Sequence, residues 1–156
     1  QINDIILRAF HSAGIMATRE PVGLCYNTAK RPDGVTMDPW KRGHCLAWDA
    51  TCPDTFAQSH VISCSINAGA AAKSAEDIKN NKYADLPDAG IDFVPVAIET
   101  TGVWGSEGFK LVCELGRKIG DKNFDKRSSM FLRQRISLAI QRGNAYSILA
   151  TFKSNC

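Results

Sequence analysis

The stretch CLAWDAT at residues 45–51 combines a short apolar run with a single carboxylate near its end. Apolar residues on both faces over this length predict a buried, central β-strand. Because side chains alternate along a strand, Leu46 and Trp48 would share one face and Asp49 and Thr51 the other. Asp49 and Thr51 are therefore expected to face the same space.

A second carboxylate lies just before the neighbouring predicted strand. Asp33 belongs to the stretch RPDG at residues 31–34, and residues 34–37 predict a strand that begins directly after it. If the two strands pair, Asp33 and Asp49 converge. At about 4 Å, two such charges would repel by roughly 4 kcal/mol in a partly screened site. A positive group is therefore expected between them.

Lysines follow on the next predicted helix. Residues 70–84 read as a long helix, on which Lys79, Lys82 and Tyr83 lie at spacings i, i+3 and i+4. Two carboxylates beside a lysine suit divalent metal and phosphate chemistry.

The remaining elements predict a mixed α/β fold in which helices flank a hairpin-rich sheet. The predicted order is α-β-β-β-α-β-α-α, without an internal repeat. A first helix is expected at residues 3–11, strands at 22–26 and 92–100, a polar turn at 27–32, and helices at 107–119 and 128–149. The last helix is either continuous or broken at Gly143.

The composition is that of one ordinary globular domain. Its 156 residues are 44% hydrophobic and 22% charged, which excludes a disordered or fibrous chain. No apolar run approaches the length of a membrane span, so no membrane partner is expected. The six cysteines form no Cys-x-x-Cys pair, and reduced thiols in an intracellular compartment are the simplest interpretation. A zinc site at Cys52, His60 and Cys64 is the alternative, but its spacing matches no common zinc site.

Basic residues concentrate towards the C-terminus. Residues 117–156 hold nine Lys or Arg against two Asp or Glu, whereas residues 1–116 hold ten against fourteen. A basic region beside an acidic cluster is typical of a metal-dependent enzyme acting on a polyanion. The alternative is that these charges only solvate a helix end. Arg135 and Arg142, seven residues apart on the last helix, share a face and could contact a DNA backbone.

Taken in order, these residues resemble a known family. Asp33 follows Pro32, and fifteen residues separate it from Asp49. This arrangement resembles the PD-(D/E)xK nuclease signature on its αβββαβ core. Within that superfamily, the chain resembles the restriction-like endonuclease domain of site-specific non-LTR retrotransposons, in which the lysine lies on the following helix. The matching elements span nearly the whole chain: Asn3 and residues 32–33, 49–51, 79–83 and 93–104.

Thr51 stands where the plain signature has its lysine, which agrees with the Asp-x-Thr element of this branch. The sequence departs from the pattern of the branch in two places. Gln1-Ile2 stand where this branch has Arg-His before Asn3. The interval between the two aspartates is slightly longer than usual, and the extra residues fall in the loop at 40–44.

The resemblance implies a magnesium-dependent (or manganese-dependent) DNA endonuclease in the nucleus. Asp33 and Asp49, with the backbone carbonyl of Ala50, would hold the metal. Lys82, or Lys79 as the competing candidate, would orient the attacking water or stabilise charge on the phosphate. Residues 1–156 would form a single nuclease-like domain, the C-terminal fragment of a longer polypeptide with an upstream reverse transcriptase. The oligomeric state stays open.

Four more residues, together with Asn3, are candidates for accessory roles. Glu20 would add a carboxylate at the edge of the site, or would be a solvated turn residue. His60 would contact phosphate or water, or would be a surface histidine. Tyr83 would pack against the sheet and fix its helix, and Glu99 would support the lysine helix by an ion pair.

Two other hypotheses remain for the chain as a whole. A catalytically decayed or domesticated copy would keep the fold and act as a nucleic-acid or protein binding module. An unrelated mixed α/β domain would carry the same acids as surface residues.

Overall fold

A computed structural model describes residues 1–24 and 30–153 of the chain. Within these residues the elements are α1 (Ile2–Ser12), β1 (Ala17–Arg19), β2 (Gly34–Thr36), β3 (Cys45–Thr51), α2 (Val61–Ile66), α3 (Ala70–Lys82), β4 (Ile91–Ala97), α4 (Ser106–Asn123) and α5 (Ser128–Lys153). A single 3₁₀ turn at Pro87–Ala89 precedes β4. The fold is mixed α and β, as the sequence predicts.

The four strands form one mixed sheet in the order β1-β2-β3-β4. β1 and β2 pair antiparallel, as do β2 and β3, whereas β3 and β4 are parallel. A parallel pair needs a long crossover, which the chain from residue 52 to residue 90 provides with α2 and α3. β3 has a neighbour on each side, which confirms the predicted central strand.

Helices cover both faces of the sheet. On one face, α1, α4 and α5 pack their apolar residues against Leu46 and Trp48 of β3. Phe10 of α1 stacks on the Trp48 ring with centroids 4.9 Å apart. On the other face, Tyr83 and Leu86, at the end of α3, pack against the sheet. The alternation predicted for β3 therefore separates an apolar face from the face that carries Asp49.

The strand predicted at residues 22–26 is wrong over 22–24, which form a bend, while residues 25 and 26 lie outside the described part of the chain. Val22 is 88% exposed. The first strand is instead Ala17–Arg19, which pairs with Gly34–Thr36. Its three residues have no apolar pattern of their own, so their strand conformation depends on pairing with β2. The predicted turn at residues 27–32 also falls partly outside the described residues.

Two more differences concern helices. The loop after β3 contains the short helix α2, which the sequence pattern did not predict. α5 runs without a break through Gly143, because one interior glycine costs a helix only about 1 kcal/mol relative to alanine. Among the described residues, the helices are too short or too polar to cross a membrane.

Candidate acid–lysine site

The register of β2 against β3 brings the two predicted acids together. Gly34 pairs with Trp48 and Val35 with Ala47. One step further along this antiparallel register lie Asp33 and Asp49, and residues directly opposite have Cβ atoms about 4.5–5.5 Å apart. The expected convergence of the two carboxylates therefore follows from strand pairing.

Gly34 allows this close approach. A Cβ atom on Gly34 would lie 2.1 Å from the Trp48 ring, so any side chain there would overlap the indole. The absence of a side chain lets the ring cross the end of β2, where Asp33 leaves the strand. Gly34 thus positions Asp33 although it carries no functional group.

Asp33 is half-buried at the strand end. Its Oδ2 accepts a hydrogen bond from the backbone N–H of Ala50 at 2.7 Å. Burial raises the pKa of Asp33, and the negative charge of Asp49 raises it further. The bonds from Ala50 and the Asn3 side chain, together with the Lys79 charge, lower the pKa but do not cancel the effect. The two acids are thus electrostatically coupled.

Asp49 is only 4% exposed, so the hypothesis that both acids are surface residues is wrong for this one. Its Oδ1 accepts a hydrogen bond from the Lys79 ammonium at 2.8 Å. Its Oδ2 lies 2.8 Å from the Tyr83 hydroxyl. A carboxylate has about four lone-pair sites, so each oxygen keeps the capacity for a further partner.

The two lysines hold different positions. Lys79 forms the close ion pair with Asp49, and its side chain is 23% exposed. The Lys82 ammonium lies 4.0 Å from Oδ2 of Asp49, with a side chain 42% exposed. It also lies 4.7 Å from the centroid of the Tyr83 ring, a cation–π distance. Lys79 is therefore the close counter-charge of Asp49, and Lys82 is the more distant and more exposed cation.

Tyr83 packs as the sequence predicts. It is buried, and its ring lies 4.5 Å from the ring of Phe93 on β4. The hydroxyl is within hydrogen-bond distance of both Asp49 and the Arg31 carbonyl oxygen, the latter at 2.9 Å. With one proton to donate, it links the acid to the segment that leads into Asp33.

Glu99 supports the lysine helix, but not through the expected ion pair. Its Oε1 accepts hydrogen bonds from the backbone N–H groups of Ala71 and Ala72 at 3.1 and 3.2 Å. Its Oε2 accepts a hydrogen bond from the Thr55 hydroxyl at 3.1 Å. Among the described residues, no cation pairs with this carboxylate. Glu99 therefore caps the N-terminus of α3, where a negative charge is favourable, and fixes the helix that carries both lysines.

Ala50 and Asn3 border the acid pair. The Thr51 carbonyl bonds to the N–H of Ile98, next to β4, and successive residues of a strand direct their backbone groups to opposite sides. The Ala50 carbonyl therefore points to the same side as its N–H, towards Asp33. The Oδ1 atom of Asn3 is buried without a hydrogen-bond partner, and the Asn3 side chain lowers the pKa of Asp33.

These oxygen donors fit a hard divalent cation. Two carboxylates, a backbone carbonyl directed to their side and a buried amide oxygen lacking a donor match the ligand preference of Mg²⁺, which retains several waters. No three His, Cys, Asp or Glu side chains converge on a metal position anywhere in residues 1–24 and 30–153. A metal ion at this site would thus be held mainly by the two acids and by water.

Glu20 and His60 are engaged elsewhere. The Glu20 carboxylate pairs with the Arg31 guanidinium at 3.1 Å on the surface, while its backbone N–H bonds to the Asp33 carbonyl. His60 starts α2, and its Nδ1 lies 3.1 Å from the Asp54 carbonyl oxygen. Both side chains therefore fit the simpler interpretation as turn and loop residues.

Glu76 is a site-supporting residue that the sequence analysis missed. It is fully buried on α3, and its Oε1 accepts hydrogen bonds from the N–H groups of Glu107 and Gly108 at 2.9 and 3.2 Å. It thus caps α4 as Glu99 caps α3. The sequence signal was weak, because a Glu among polar helix residues normally indicates a solvated face.

Arg135 and Arg142 are exposed on α5 and border the same cavity, as their shared face predicts.

A comparison of the chain with known protein families and with curated proteins found no match.

Proposed function

We propose that this domain is a metal-dependent DNA endonuclease that nicks a target for a retroelement. The observation that carries the proposal is the meeting of Asp33 and Asp49 at one end of the β2–β3 pair, with the Lys79 and Lys82 ammonium groups of α3 beside Asp49. An acid pair with adjacent ammonium groups suits phosphodiester hydrolysis, because the phosphate and the transition state are both anionic.

Asp33 and Asp49, with the Ala50 carbonyl, would hold Mg²⁺ or Mn²⁺. When bound, the metal supplies charge stabilisation for the phosphate and acidifies water. In the hydrolysis, a water oxygen forms a bond to phosphorus and the bond from phosphorus to a sugar oxygen breaks. The leaving oxygen takes up a proton, and the attacking water loses one to solvent.

Lys82 is the better candidate for the catalytic lysine. Its ammonium is more exposed and farther from Asp49 than that of Lys79, so it can reach a phosphate oxygen without abandoning a buried carboxylate. Lys79 would remain a positioning residue that holds the Asp49 carboxylate in place. Tyr83 would act indirectly, by holding Asp49 in place. Glu99 would also act indirectly, by fixing α3.

The restriction-endonuclease-like core is part of the proposal. The order α1-β1-β2-β3 followed by α3-β4 supports it, as does the position of the acids at adjacent strands. The resemblance of the motif set then favours an upstream reverse transcriptase in the same polypeptide, and hence a nuclear location.

Nicking of supercoiled plasmid provides the test. The wild-type chain should convert supercoiled plasmid to open circles only when Mg²⁺ or Mn²⁺ is present. Asp49→Asn keeps the side-chain shape but removes the charge, and should lower the rate by about 10³-fold or more. Equal nicking by wild type and variant, or nicking in excess EDTA, would contradict the proposal.

A catalytically silent binding module is the second candidate. Asp49 is buried, and both of its oxygens already have hydrogen-bond partners. These features favour the second candidate, because an acid with a purely structural role would have the same burial and contacts. DNA binding without nicking under every metal condition would support this candidate.

A further inference from the structure

Three arginines from two helices meet in one groove. A cavity of about 440 Å³ lies between α1 and α5, and Arg8, Arg135 and Arg142 line it. Arg8 comes from α1 and the other two from α5, so only the packing of the helices brings them together.

The positive charge of the groove is not neutralised. Asp4, the acid that borders it, pairs with Arg19. Within the described ranges, no carboxylate lies at ion-pair distance from Arg8, Arg135 or Arg142. Three unpaired guanidinium groups in a concave surface concentrate positive potential and attract polyanions. Guanidinium groups also match phosphate geometry with two donors at once.

The groove continues towards the end of β3 that lies beside Asp33. A second cavity of about 460 Å³ shares Gln1 and Ala139 with the first and extends to Asn3 and Ala50. The Ala50 backbone N–H donates a hydrogen bond to the Asp33 carboxylate, and the Asn3 side chain lowers the pKa of that carboxylate. The two adjoining cavities therefore extend from Asn3 and Ala50, beside Asp33, past the start of α1 to the three arginines.

The arginine spacing suits a nucleic-acid strand. Arg135 and Arg142 are separated by seven residues, or about 10 Å along a helix that rises about 1.5 Å per residue. Phosphates on one strand of duplex DNA recur about every 3.4 Å along its axis. The two side chains therefore span about three nucleotides, and Arg8 faces the same groove from α1.

We infer that the groove between α1 and α5 binds the phosphodiester backbone of the same DNA duplex that the acid–lysine site is proposed to cut, on one side of the scissile phosphate. The inference rests on the proposed function for the identity of the ligand. Arg8, Arg135 and Arg142 contact phosphates, so the groove adds affinity and fixes the position of the strand but reads no base sequence.

A competing basic surface provides a matched control. Arg117, Lys122 and Lys126 lie exposed around the end of α4, and Arg117 and Lys126 line a different cavity. Replacing these three residues with glutamine removes the same formal charge as replacing the three groove arginines. A difference between the two triple variants therefore reports position rather than net charge.

The experiment measures binding of a fluorescein-labelled duplex of random sequence by anisotropy, in EDTA, over a salt series. Arg8→Gln/Arg135→Gln/Arg142→Gln should weaken binding by about tenfold or more. The slope of log K against log salt should become less steep by about 2.7, since each phosphate contact contributes about 0.9. The control triple variant should change affinity by less than about threefold. Thermal melting establishes that both variants fold.

Binding and nicking separate the two ideas. Unchanged binding by the folded groove variant, an equal loss in the control, or no DNA binding by the wild type would overturn the groove assignment. If the wild type binds DNA but never nicks it, and the groove variant loses that binding, the groove assignment is supported. Only the endonuclease proposal is then contradicted.

Discussion

The Lys79 ammonium lies 2.8 Å from Oδ1 of Asp49, a carboxylate that is almost fully buried. Lys82 lies 4.0 Å from the other oxygen and is more exposed. A buried carboxylate needs a close counter-charge, whereas an exposed cation at 4 Å contributes little to stability. The two lysines of α3 are therefore expected to divide stability and catalysis between them.

Exchanging each lysine for methionine tests this division. Lys79→Met should lower the free energy of unfolding by about 1–3 kcal/mol, because a hydrogen bond to a buried charge is lost. Lys82→Met should change stability by less than about 1 kcal/mol yet slow nicking by about 10²-fold. Urea denaturation and plasmid nicking measure the two effects. The opposite pattern would assign the catalytic role to Lys79.

The Tyr83 hydroxyl is expected to hold Asp49 in place. Tyr83→Phe keeps the ring packed against Phe93 but removes the hydroxyl that bridges Asp49 and the Arg31 carbonyl. Stability should fall by about 1–2 kcal/mol, and nicking should slow with the metal requirement retained. An unchanged melting curve would show that the hydroxyl contributes nothing.

Asp33 should make stability depend on pH. Its folded-state pKa is raised, mainly by burial, so the unfolded chain loses this proton first as pH increases. The contribution of Asp33 to stability is therefore greatest below the unfolded value near 3.8 and is lost as pH rises through the folded pKa. Asp33→Asn should gain stability relative to wild type between about pH 3.5 and pH 7, measured by urea denaturation without divalent metal. A difference that does not vary with pH would contradict this.

Bound Mg²⁺ should offset the stability that the folded chain loses when Asp33 ionises. A cation held by both acids stabilises the folded state by about 1.4 kcal/mol at ten times its dissociation constant. Thermal melting should therefore show stabilisation of the wild type by Mg²⁺ and little or none in Asp33→Asn. Equal stabilisation of the two proteins would place the cation elsewhere.

Gly34 should tolerate no side chain. In Gly34→Ala, the added Cβ would overlap the Trp48 ring, and the resulting strain should cost about 3 kcal/mol or more. Gly143→Ala is the control, because its Cβ would contact nothing within 4 Å and alanine suits a helix interior. Chemical denaturation should show a large loss for the first variant and a small gain for the second.

Local patterns predicted the parts of the fold that carry their own signal. The apolar run of β3 predicted a central strand, and its alternation predicted which face carries Asp49. The helical spacing of Lys79, Lys82 and Tyr83 predicted that they would lie together. These features depend on periodicity within one element, and periodicity is visible in a single sequence.

Features that depend on contacts between distant elements were not predictable in the same way. β1 is a strand because β2 is its partner, and its three residues have no pattern of their own. Glu76 looks like an ordinary polar residue until the helix it caps is in place, and Glu99 supports α3 through backbone hydrogen bonds rather than the expected ion pair. Arg8 joins Arg135 and Arg142 only because α1 packs against α5, which no local spacing encodes.

The combined effect of the two acids on nicking rate tests the central claim most directly. If Asp33 and Asp49 act on one cation, Asp33→Asn and Asp49→Asn should each lower the Mg²⁺-dependent rate by about 10³-fold, and the double variant should be no slower than either one. Folded variants whose losses multiply, or single variants that nick at the wild-type rate, would contradict the account.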